Sequence, residues 1–69
     1  MKQVSEMPTS GQFVAVWMYN NKIWSSVYKY ESGCLNLYSP VDVDYEPVDD
    51  VDDFKQRLDS VNAQYFIAE

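Results

Sequence analysis

From Gln12 to Ser39 apolar and polar residues alternate with the period of a β-strand. Residues 12–19 (QFVAVWMY), 22–30 (KIWSSVYKY) and 34–39 (CLNLYS) are rich in β-branched and aromatic side chains. This pattern predicts a three-stranded antiparallel meander over 12–39. Asn20-Asn21 tolerates positive φ and suits a two-residue primed turn. That turn sets Tyr19 against Lys22, Trp17 against Trp24 and Val14 against Val27. Side chains then sort by face. Val14, Val16, Met18, Ile23 and Val27 share one face. Phe13, Ala15, Trp17, Tyr19, Trp24, Tyr28 and Tyr30 share the other.

The second turn fixes where Leu35 and Leu37 go. A three-residue Glu31–Gly33 loop with a bulge puts them on the aliphatic face, and a two-residue Ser32-Gly33 loop puts them on the aromatic one. The three-residue loop is preferred because it gives one continuous aliphatic face.

The flanks read differently. Residues 1–11, with Pro8, Ser10 and Gly11, predict a loose N-terminal arm. Residues 40–49 (PVDVDYEPVD) alternate apolar and acidic residues but carry Pro40 and Pro47, which predicts an acidic loop or an irregular edge segment. A helix is expected over 50–61. Asp49 or Asp50 caps it, Asp52 and Asp53 lie where the helix dipole favours negative charge, and Val51, Phe54, Leu58 and Val61 make an apolar stripe. Residues 63–68 read as a short strand after an Asn62 stop, or as a helix continuing through Tyr65. The expected fold is α+β: a single small domain with an antiparallel sheet of three to four strands and one C-terminal helix on one face.

Composition narrows the function classes. The chain has 69 residues, a formal charge of −6, no His and a single Cys. Without His, the commonest general base and neutral metal ligand are missing. Cys34 alone makes neither an internal disulfide nor a Cys-based zinc site. No Gly-rich phosphate loop occurs, and Ser25-Ser26 has no base beside it. A non-enzymatic protein without cofactor or metal is therefore expected. The acidic balance opposes direct binding to nucleic acid or an anionic membrane and fits a basic protein partner. With no disulfide framework, no signal peptide and no long apolar run, a cytoplasmic location is expected.

Two features carry the candidate site. If the helix covers the aliphatic face, Trp17, Trp24, Tyr28 and Tyr30 are left as an aromatic cluster. That cluster is either a second small core, closed by the arm with Tyr38, Val41, Val43 and Tyr45, or a protein interface, or a stacking platform. Only Lys22 and Lys29 flank it, too few cations for a single-strand platform. The second feature is acidic. Asp42, Asp44, Glu46, Asp49, Asp50, Asp52 and Asp53 put seven of the eleven carboxylates into residues 42–53. A calcium loop fails, because Pro47 stands where the sharp-turn Gly belongs. The readings left are a solvated surface or a patch that docks on Lys and Arg and imitates a row of phosphates. A homodimer through the aromatic face or an edge strand is the alternative use.

The stretch GQFVAVWMYNNKIWSSVYKY, followed by a turn, a short strand and an Asp-rich helix, resembles small acidic accessory proteins encoded by bacteriophages. The resemblance implies a protein that binds and inhibits one host enzyme inside a bacterial cell, such as a nucleic-acid-handling effector. It carries over no individual functional residue.

Overall fold

The structure is a computed structural model and describes residues 1–68. Its elements are β1 (Lys2–Val4), β2 (Gly11–Tyr19), β3 (Lys22–Glu31), β4 (Cys34–Ser39), β5 (Asp44–Pro47), α1 (Val51–Ser60) and β6 (Gln64–Ile67). The fold is α+β. All strands join one antiparallel six-stranded sheet in the order β1-β6-β2-β3-β4-β5.

The β2–β3 hairpin follows the alternation register. Asn20 and Asn21 both take positive φ, 52° and 61°, and Trp17 faces Trp24. The second turn differs from the preferred reading. Ser32 and Gly33 sit at φ 54° and 78°, and Glu31 pairs with Cys34. This is a two-residue loop with positive φ at both positions, whose twist matches the flanking strands. Tyr30 then pairs with Leu35 and Tyr28 with Leu37, so both leucines join the aromatic face.

The helix therefore packs on the aromatic face and not on the aliphatic one. Phe13, Ala15, Tyr28, Leu35, Leu58 and Tyr65 form the buried core. Phe13 stacks on Tyr28 at 5.1 Å between ring centroids, and Phe54 of α1 meets Tyr28 edge-on at 5.4 Å. Aromatic side chains bury about 150–250 Å² each, more than a Val. Facing the helix with Phe and Tyr gains more than facing it with Val14, Val16 and Val27.

Capping sets the length of α1. Asp50 accepts a hydrogen bond from the Asp53 backbone N–H at 3.0 Å. At the other end Asn62 is left-handed, φ 56°, the Asn62 N–H donates to the Asp59 carbonyl and the Ala63 N–H donates to the Leu58 carbonyl. That is a Schellman stop with Asn in place of Gly. It frees residues 64–67 to become β6, which pairs with β2 well inside the sheet. The segment is a strand over Gln64–Ile67 and not a helix continuing through Tyr65.

Two flank expectations change. The N-terminal arm is not loose at its start, because β1 pairs with β6, Lys2 opposite Ile67 and Val4 opposite Tyr65. An open β6 edge would leave a row of unpaired backbone groups, and β1 satisfies them. The acidic segment is not wholly a loop, because β5 forms the far edge with Tyr45 opposite Tyr38. Among the described residues no helix is long and apolar enough to cross a membrane.

Candidate functional site

Alternation places the site residues. Tyr38 pairs with Tyr45 and Leu37 with Glu46, so Asp44 and Glu46 lie on the same side of the sheet as Leu37 and α1. Asp49, Asp50, Asp52 and Asp53 line the entry and first turn of the helix on that side. Asp42 sits in the β4–β5 turn, where the Ser39 hydroxyl donates to it at 3.4 Å. All seven carboxylate residues of 42–53 are exposed. The structure thus gathers the acidic segment on the helix side.

This charge is little neutralised. Among the described residues there are two ion pairs, Lys29–Glu31 at 3.2 Å and Arg57–Asp53 at 3.0 Å. Only the second touches the acidic segment. Crowding shows in Glu46, whose carboxyl is held above its ordinary pKa by a hydrogen bond with Asp42 and by the charges of Asp42 and Asp44. Some of the charge has local work to do. Asp50 caps the helix, Asp52 and Asp53 oppose its dipole, and Asp44 accepts from the Tyr45 N–H at 2.8 Å. Among the described residues no group of three or more carboxylates or thiols is arranged to hold a metal ion.

The aromatic residues fall out unlike the expectation of an open cluster. Tyr28 is 1% exposed and belongs to the core. Trp17 and Tyr30 are half-buried against that core, and Tyr30 stacks on Phe13 at 6.4 Å. Trp24 alone of the four is exposed, at 47%, with its indole N–H donating to the Tyr19 carbonyl at 3.2 Å. The cause is the two-residue turn, which made this face the helix-bearing one.

What remains apolar on the helix side is a groove of about 360 Å³ between α1 and the hairpin. Trp17, Tyr28, Leu37, Phe54, Leu58 and Val61 line it, with Ser26 and Arg57 at its rim. Arg57 joins the groove to Asp53 and so to the acidic helix start. The groove escapes a reading of the sequence because Leu37 reaches it only in the shorter turn. The helical stripe of Phe54, Leu58 and Val61 was the available signal.

Burial pushes the Tyr65 phenol up, helped by the charge of Asp59 and a hydrogen bond to its carboxylate. Burial likewise raises Tyr28, partly opposed by a hydrogen bond with Ser26. Both phenols stay neutral at physiological pH and act as core. No family model, curated protein or solved structure matches this chain.

Proposed function

We propose that the chain is a non-enzymatic binding module that docks its helix side on a basic, nucleic-acid-handling protein and blocks it. The observation that supports this reading most is one of adjacency. A dense and little-neutralised acidic segment borders an apolar groove large enough for one or two partner side chains. An apolar anchor beside a charged rim is the usual anatomy of a protein interface. The carboxylates speed encounter with a basic surface and stand where phosphates would otherwise bind. The groove, with Trp24 nearby, supplies the apolar contact first assigned to Trp17, Tyr28 and Tyr30. Action inside a bacterial cell, after the manner of phage inhibitors, belongs to the same proposal.

The test uses the tagged chain, nuclease-treated bacterial lysate and two salt concentrations. A stoichiometric partner should be retained after nuclease, released by salt and displaced from its own nucleic acid by the chain. Changing Asp42, Asp44, Asp49 and Asp52 to Asn leaves the Asp50 cap and the Asp53–Arg57 pair intact. That variant should bind about ten-fold or more weakly at low salt and show a flatter salt dependence. Equal binding by the variant would sink the acidic-docking reading.

A further inference from the structure

The sheet has a second face, and α1 does not touch it. Across it runs a cross-strand row of Phe66, Val14, Val27, Tyr38 and Tyr45, one residue from each of five neighbouring strands. Val16 extends the row toward the hairpin tip, where Met18 and Ile23 stand 64% and 72% exposed. At the opposite end a depression of about 210 Å³ is lined by Met1, Val14, Val27, Phe66 and Ala68. The five residues of the row are half-buried, and with the exposed Met18 and Ile23 they form one contiguous apolar patch.

Charge distinguishes this face from the helix side. Alternation puts two charged residues on it, Lys29 and Glu31, and these pair with each other at 3.2 Å. Several of its polar groups are matched internally. Lys29 lies 4.6 Å from the Tyr45 ring centre, Gln12 donates to the Tyr45 hydroxyl at 3.0 Å, and the Asn36 amide donates to the Cys34 carbonyl at 3.1 Å. A neutral face whose charged groups pair with each other costs less to bury than one with unpaired charges. It offers nothing to a basic partner. It does suit a copy of itself, because the carboxylates of 42–53 point away from it to the helix side.

We propose that this helix-free face is the interface of a symmetric dimer of the chain. At a rise of about 3.3 Å per residue and a spacing of about 4.8 Å, the six strands span a face of roughly 600 Å², near the low end of protein interfaces and suited to a weak, reversible dimer. The edges are poor alternatives, since β1 is three residues long and β5 carries Asp44, Glu46 and Pro47. A two-fold axis lying in the interface and across the strands sets Met18 and Ile23 of each copy over the depression of the other. Each copy then presents its acidic helix side outward, so the dimer extends the docking function and is tested apart from it.

Mass in solution, measured by sedimentation from low micromolar to millimolar concentration, should show a reversible dimer. A wild-type chain that stays monomeric at millimolar concentration overturns the proposal. Val27→Lys should raise the dissociation midpoint by about 100-fold or more, through burial of an unpaired charge. A folded Val27→Lys chain that dimerises as well as wild type also overturns it. The second test maps the contact from a label on this face, at the end away from the hairpin tip, where Cys34 pairs with Glu31. A spin label on the exposed Cys34 is mixed with unlabelled, isotope-enriched Cys34→Ser chain. Line broadening between copies should appear at Met18 and Ile23 and spare Asp53 and Arg57. Broadening centred on α1 would place the contact on the wrong side.

Discussion

Ser32 and Gly33, both at positive φ, determine which side chains of the meander meet the helix. Nothing lies within 4 Å of a Cβ built on Gly33, so a side chain there meets open space and the cost of changing it is backbone strain alone. Gly33→Ala should destabilise the fold by about 1–2 kcal/mol. Ser32→Asn creates the Asn-Gly pair that primed turns favour and should stabilise it by about 0.5 kcal/mol. Urea unfolding of the two variants measures both signs. If Gly33→Ala costs nothing, the left-handed turn is not the conformation in solution.

At the scale of elements, α1 is held by its ends and by one stripe. Its cap and its packing can be separated experimentally. Asp50→Ala removes the acceptor for the Asp53 N–H and should cost about 1 kcal/mol, whereas Asp50→Ser keeps an acceptor and should cost much less. Leu58 is the buried residue of the helix, and Leu58→Ala should cost about 2–5 kcal/mol. In a domain this small that loss approaches the whole stability. Thermal melting of the three variants should rank them Ser, Ala at 50, then Ala at 58. The β5 edge shows a second use of acidic residues, since Asp44 and Glu46 on an edge strand discourage pairing with a stray strand. Part of the acidic segment therefore protects the fold, whatever the partner.

For the whole molecule, the core depends on phenols remaining neutral. Tyr28 and Tyr65 both have raised pKa values, chiefly from burial. In the unfolded chain these groups ionise near their ordinary value of about 10. The folded state resists ionisation, so the stability they lend is present below that pH and is lost as pH rises through their folded values. Unfolding monitored by tyrosinate absorbance should begin in this alkaline range, with Tyr28 and Tyr65 the last to ionise. Ionisation of every Tyr at its ordinary value, with the fold intact, would mean that neither phenol is buried in solution. The molecule also divides its surface by charge, an acidic helix side against a neutral apolar sheet face. That division would let the proposed basic partner and the proposed second copy occupy different faces.

The sequence alone determined the elements that depend on neighbouring residues. Alternation located β2, β3 and β4, Asn20-Asn21 fixed the first register, Asp49 or Asp50 marked the helix start, Asn62 offered one of two helix ends, and the acidic composition of 42–53 was plain. These follow from backbone geometry and side-chain chemistry within a few residues. What the tertiary structure decided was the face on which those elements meet. Both faces of the meander are apolar, so a difference of one residue at Ser32-Gly33 moved Leu35 and Leu37 across the sheet. That change buried Tyr28 and left Val14, Val16 and Val27 half-buried on the face away from α1. The places of β1 and β6 were likewise decided at long range. Lys2–Val4 is too short to read as a strand by itself, and it becomes one because β6 offers an edge to pair. For this reason Tyr28 is buried and Trp17 and Tyr30 are half-buried, and the acidic segment kept its exposure because charges stay in water on either face.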